Sequence, residues 1–396
     1  MKNQSIDAKR LKHYILLVFI YLFVRMNSYF TKGAANEQLL LVCRIVIILF
    51  SFFLLFRIRY VPKKGWLFIA VATNIWFFLS GIQNCSNITT ALTNFSTQAW
   101  WATFLVITYI LLVKTSDSEI KSIIYIGVFS FYVFSARYAI WLLSGNRYWS
   151  SGGINSIYYC VLLLPLCYLV DKRIIKYSML FIAALLTIIS GKRTALISII
   201  CCAFLPPILE KGGKRSKKKT GTLLLLMLVC IVLVYVAKYL SKSIDITIIQ
   251  RMQSLQEDGG SGRTTTYALV WEAFKGSNII KKIFGHGYNA VFLDRISISS
   301  AHNDFLEVIY DYGIIGLLLY VSMLCTFIKC AFRLRSVQGK SFSAYTAALL
   351  IYIILSCVSH LIIYPTYNVF LLFVFSIGFA EIETLQSDYI EGWEDE

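Results

Sequence analysis

The chain has 396 residues, 58% of them hydrophobic and only 15% charged, with a mean hydropathy of +0.67. Apolar runs of about 20 residues have no place in a soluble core, so this composition excludes a soluble globular protein and predicts a polytopic integral membrane protein. The formal net charge of +17 gathers in short loops between apolar runs, and no basic-aromatic domain is present, which argues against a nucleic-acid partner.

Spanning-length apolar runs fall near 13–31, 38–56, 66–83, 97–113, 121–143, 154–170, 176–190, 194–210, 221–240, 305–332, 343–363 and 365–384. They lack the alternating pattern of barrel strands, so the expected fold class is an all-α polytopic membrane protein of about twelve transmembrane helices. The first run continues into further spans and has no small-residue cleavage site, so it is read as a transmembrane helix and not a signal peptide. Most of the ten cysteines lie inside apolar runs without ligand spacing and act as small hydrophobes.

Lys and Arg fix the expected orientation. They crowd alternate connections, at Lys2 to Lys12, Arg57 to Lys64, Lys172 to Lys176, Lys211 to Lys219 and Arg333 to Lys340, whereas the intervening connections hold few. The positive-inside rule then predicts both termini in the cytoplasm. The chain divides into nine N-terminal spans over 1–240, an extracytoplasmic catalytic loop over 241–304, three C-terminal spans over 305–384, and an acidic cytoplasmic tail over 385–396. The tail is expected to be disordered from Glu391. In the loop, Ser241 to Gln256 reads as amphipathic, Asp258 to Gly262 as a breaker and Thr264 to Phe274 as a helix.

This insert and the turn at Ser190 to Arg193 hold the residues suited to chemistry in water. Arg193, with Lys192 beside it, offers a planar fork of donors that matches a phosphate or diphosphate, although such a residue commonly snorkels to headgroups. Arg263 opens a helix whose first N–H groups already favour an anion. His302 stands where the chain re-enters the membrane and can accept a proton near neutral pH. Asn303, Asp304 and Glu307 follow it, either orienting it or complementing the helix dipole. His286, between Gly285 and Gly287, is a weaker candidate for the same work, since a turn explains its glycines. Gly313 and Gly316 are expected to permit close helix packing. No Walker, GxSxG, HExxH or metal-ligand pattern is found in the sequence, so neither cofactor nor metal is expected.

These residues resemble the O-antigen ligase and polymerase superfamily. The resemblance rests on Ser190-Gly-Lys-Arg193-Thr-Ala-Leu, Gly262-Arg263 with Trp271, Ile283-Phe-Gly-His-Gly-Tyr288, and Ala301-His302-Asn303 with nine residues before Gly313-x-x-Gly316. It implies a GT-C-like, metal-independent, inverting glycosyltransferase acting on an undecaprenyl-diphosphate-linked glycan at the outer face of the bacterial inner membrane. Arg193 and Arg263 would hold the diphosphate and His302 would serve as base. Implied partners are the lipid-linked donor, the glycan acceptor and the bilayer, with a chain-length regulator and a flippase alongside.

Within that family a polymerase is the favoured reading, because the interval from Arg263 to His302 is compact. A ligase, passing the glycan to a lipid A core or another acceptor, is the alternative. A transporter of lipid-linked sugars would predict broken, charged helices in two repeated halves, and no such repeat is visible.

Overall fold

The computed structural model of the chain describes residues 2–30, 35–57, 64–83, 88–144, 151–209, 262–298, 300–362 and 365–394. Five long helices come first: α1 (Lys2–Ser28), α2 (Ala35–Arg57), α3 (Gly65–Ile82), α4 (Ile88–Val113) and α5 (Asp117–Leu143). Short turns α6 (Ser151–Asn155) and α7 (Ile157–Val161) and a 3-10 turn at Leu164–Tyr168 lead to α8 (Arg173–Ser190) and α9 (Arg193–Leu209). The insert contributes α10 (Arg263–Gly276), α11 (Ile279–Phe284) and α12 (Ala290–Leu293), and α13 (Asp304–Ser336), α14 (Phe342–Val358) and α15 (Pro365–Glu394) close the chain.

The described residues contain no strand. Among them, eight helices are long and apolar enough to cross a membrane, and three shorter apolar helical stretches accompany them. The protein is thus an all-α polytopic membrane protein. The expected span at 221–240, the stretch Ser241 to Gln256 and most of the breaker before Gly262 lie outside the described residues.

Two helices form the centre. The apolar stretches of α4 and α15 are 88% and 78% buried, against 28–44% for the other six long spans. Phe327 and Phe375 stack at 4.3 Å and Trp66 stacks on Phe379 at 4.2 Å, filling the layer around α15. Leu16, Ile20, Phe56, Phe68 and Phe129 are exposed on the outer faces, as lipid-facing positions must be when tails are as apolar as the side chains.

Three expectations change. The run at 154–170 is not one helix: it breaks into α6, α7 and the 3-10 turn, with Pro165 at the start of that turn and Tyr159 to Leu164 fully buried. Pro has no N–H to continue the ladder, and irregular backbone at membrane depth survives because protein surrounds it. Second, α15 runs to Glu394, past the end expected at 384, since no Gly or Pro falls between residue 384 and Gly392. The tail expected to be disordered is therefore helical through Glu394. Third, α13 is bent at Gly313, whose backbone lies at φ 69° and ψ −171°.

That bend explains the insert's attachment. A break in a helix frees carbonyls that need new donors. Tyr310 O accepts from His286 N at 3.0 Å, Asp311 O from Gly287 N at 2.8 Å, and Tyr312 O from Trp76 Nε1 at 2.9 Å. A Cβ on Gly313 would sit 2.3 Å from Ile283 O, and one on Gly285 would sit 2.2 Å from Asp311 O. Both positions thus exclude a side chain. Gly313 and Gly316 do allow close packing, as expected: Gly313 against the turn at Ile283 to Gly285, and Gly316, whose Cβ would sit 3.3 Å from Trp76 Nε1, against α3.

Candidate functional site

The site lies at the end of the bundle opposite the N-terminus. Gly191, at φ 69°, closes α8 in a left-handed cap and turns the chain into α9, so Lys192 and Arg193 occupy a helix start. Gly262, at φ 74°, performs the same turn before Arg263 and α10. Asn303 caps α13, its Oδ1 accepting from Phe305 N at 2.9 Å and Leu306 N at 3.1 Å. His302 precedes that cap in a left-handed conformation, φ 54°, that costs a non-glycine residue roughly 1 kcal/mol or more.

Neighbours hold the strain. Tyr267, on α10, donates to His302 O at 3.0 Å and to Cys357 O at 3.4 Å, and Asn303 Nδ2 donates to Cys357 O at 2.9 Å. His302 is thereby tied to α10 and to the end of α14. Its ring lies 5.2 Å from that of His360, whose Nδ1 is 3.2 Å from Ser300 Oγ.

Electrostatics bind the cluster together. Burial, then the charges of Arg263 and Lys192, hold the His302 imidazole below its ordinary value. Burial pushes His360 down to about 3, helped by His302, Lys192 and Arg263. Both rings are therefore neutral at pH 7. Lys192 and Arg263, from two separate helix starts, flank the same pair of histidines. α13 starts at Asp304, just past His302, so Lys192, Arg263 and His302 each stand at a helix N-terminus, whose dipole adds to the cations in favouring an anion. Arg193 is half-buried at the first turn of α9, next to Lys192.

The acidic candidates have another task. Asp304 is fully buried and accepts from Leu361 N at 2.9 Å, Ile362 N at 3.3 Å and Tyr320 OH at 3.3 Å. Glu307 accepts from Ala301 N, and Asp311 from Asn289 N at 2.7 Å and Val291 N at 3.3 Å. Spaced three and four residues apart on one face of α13, these carboxylates pin three loops around the site. They accept from backbone amides and a tyrosine hydroxyl, and so shape the loop that carries His302.

His286 belongs to a different cluster. It stacks on Tyr310 at 4.1 Å, sits 2.7 Å from Ser277 Oγ and has Nδ1 3.4 Å from Asp294 Oδ2. This order mimics a serine-histidine-aspartate relay, but Ser277 donates its proton to Ala273 O at 2.9 Å. His286 Nε2 must then be the donor, which leaves an unprotonated Nδ1 facing a carboxylate and no base for the serine. Burial and Lys281 hold this histidine low, against Asp294.

Sequence reasoning missed His360, Tyr267 and Ser300. A histidine in the apolar stretch just before Pro365 was the available signal for the first. Among the described residues no group of His, Cys, Asp and Glu is suited to a metal ion.

The described bundle thus gathers cations, histidines and helix starts at one end, an arrangement that favours an anionic group. The family described as O-antigen ligase matches residues 178–321, and that described as O-antigen ligase like membrane protein matches residues 260–385. The two matches take in the α8–α9 turn, the described part of the insert and α13 to α15. The chain belongs to the O-antigen ligase and polymerase superfamily, with the glycosyltransferase-like ligase or polymerase role of that family. No curated protein matches the chain.

Proposed function

We propose that the protein is a polymerase that joins undecaprenyl-diphosphate-linked repeat units at the outer face of a bacterial cytoplasmic membrane, with both termini inside. The observation that carries this reading is the convergence of Lys192 and Arg263 on the neutral His302 and His360, where three helices begin. A donor diphosphate held by Arg193, Lys192 and Arg263 leaves with its electron pair as the bond to the anomeric carbon breaks. The acceptor hydroxyl oxygen forms the new bond from the opposite face and inverts the centre, and its proton passes to the imidazole of His302. Fixed cations already stabilise the leaving group, so the step calls for no metal. His360, Tyr267 and Asn303 keep the His302 loop in place.

A second reading has its own support, since both matching families carry a ligase description. The compact interval between Arg263 and His302 favours the polymerase. Purified protein supplied with lipid-linked repeat units and EDTA is expected to build a ladder of longer lipid-linked glycans. His302→Ala and Arg263→Ala should each lower the rate about 100-fold or more. Transfer only after a lipid A core is added would replace the polymerase reading with the ligase one, and full activity in both variants would remove the assigned roles.

A further inference from the structure

A second cationic site lies deeper in the same end of the bundle, on helices outside both family matches. Arg44, on α2, is 8% exposed within an apolar span. Its Nε donates to Tyr21 OH at 3.1 Å and its Nη1 to Thr97 Oγ1 at 2.5 Å, both neutral acceptors. Among the described residues it has no carboxylate partner, and between Asp7 and Asp117 the sequence holds a single acidic residue, Glu37. A charged residue buried in a membrane span is costly and by default marks a functional position, and with no opposite charge beside it the ligand that fits is an anion.

Other groups close around the same point. The Tyr159 hydroxyl is fully buried without a hydrogen-bond partner and stands in the fields of both Arg25 and Arg44. It belongs to α7, in the segment that breaks into short turns, and irregular backbone at this depth is the usual wall of a polar cavity. Tyr159 meets Tyr367 with ring centroids 5.1 Å apart, and Tyr367 lines a small cavity with Tyr158, Ser359 and His360. Tyr158, Tyr367 and Tyr159 therefore form a chain of rings that leads from His360 toward the hydroxyl influenced by Arg25 and Arg44.

We infer that Arg44, with Arg25 and the Tyr159 hydroxyl, forms a second diphosphate site, which holds the lipid-linked acceptor while Lys192, Arg193 and Arg263 hold the donor. The inference rests on the polymerase reading, because only a polymerase takes a lipid diphosphate on both substrates. Tyrosine rings between the two sites supply faces on which the acceptor's sugars stack, with hydroxyls to bond them. Two diphosphates repel one another, and separate arginine forks keep them apart while the glycan end reaches His302.

The test counts bound farnesyl diphosphate on the full chain in detergent, by equilibrium dialysis and native mass spectrometry. Wild type is expected to bind two equivalents, Arg44→Gln and Arg263→Gln one each, and the double variant none. One equivalent in wild type, or two retained by Arg44→Gln, would overturn the second site and leave Arg44 as a packing residue. If Arg263→Gln keeps both equivalents while Arg44→Gln loses one, the donor assignment fails and this inference stands. Because Arg44→Gln can also unfold the bundle, the Arg263-dependent equivalent serves as its internal control. Where that is lost too, Arg44→Lys decides: it keeps the charge but not the fork, and should weaken the second equivalent about tenfold while leaving the first unchanged. Unchanged binding of both in Arg44→Lys would overturn the proposal.

Discussion

The two ends of the bundle use charge in opposite ways. At the N-terminal end cations and carboxylates meet each other: Lys12 pairs with Glu119, Lys64 with Glu383 at 2.8 Å, Lys121 with Asp171 at 3.3 Å and Lys340 with Asp117 at 3.4 Å. Glu381 accepts from Ser341 N at 2.9 Å and joins α15 to the start of α14. At the far end the buried carboxylates Asp304, Glu307 and Asp311 are occupied by backbone amides. The positive charge of Lys192 and Arg263 there acts on histidines. Identical residue types thus fasten helices at one end and leave cations beside histidines at the other. The difference lies in whether a carboxylate meets a cation or an N–H.

Removing a far-end fastening should cost most. Asp304→Ala strands the two buried amides of Leu361 and Ile362, at roughly 3 kcal/mol or more, whereas the Tyr320 hydroxyl keeps Ser356 Oγ at 2.9 Å. Thermal unfolding in detergent should show a midpoint several degrees lower, and an unchanged midpoint would mean that the loop at 361–362 does not depend on this carboxylate.

The histidine pair offers a pH test. His360 titrates near 3 in the folded protein against 6.5 unfolded, so its contribution to stability is complete above pH 6.5 and is lost as pH falls toward 3. The unfolding midpoint should fall steadily through that window, and His360→Gln should flatten the slope. An equal slope in the variant would place the responsible group elsewhere. Activity has a matching signature: His302 must be neutral to act as a base, so the acid limb of the rate profile should lie below pH 6.5. Arg263→Gln, in whatever activity remains, should move that limb upward.

The smallest effect belongs to the N-terminal end. Lys64→Gln removes a partly exposed ion pair and should change stability by less than about 1 kcal/mol. A loss comparable to that of Asp304→Ala would erase the distinction between the two ends.

Much of the helix pattern was legible because lipid-facing helices must be apolar over their full length, and length alone then locates them. The break at 154–170 was hidden for the same reason: a buried irregular segment is as apolar as a helix, and only Pro165 and Gly152-Gly153 betrayed it. His302, Arg263 and Lys192 stood out as polar residues beside small ones at the ends of spans, and the structure brings them together. Asp304 and Glu307 were placed correctly in the chain but their work was not visible, since their partners at 361–362 and 301 come from loops whose approach depends on tertiary packing. Arg44 was overlooked because one arginine in an apolar run does not alter the run's hydropathy.

The bend at Gly313 also sets a register. From Asn303 to Gly313 the helix carries Asp304, Glu307 and Asp311 on one face and ends in carbonyls that the Gly285–Gly287 turn and Trp76 must reach. Each residue added or removed rotates that face by about 100° and shifts it by about 1.5 Å. The nine residues between Asn303 and Gly313 therefore work as a gauge block between the His302 loop and the docking of the insert. Changing its length by one would turn these acceptors away from the loop N–H groups that now reach them.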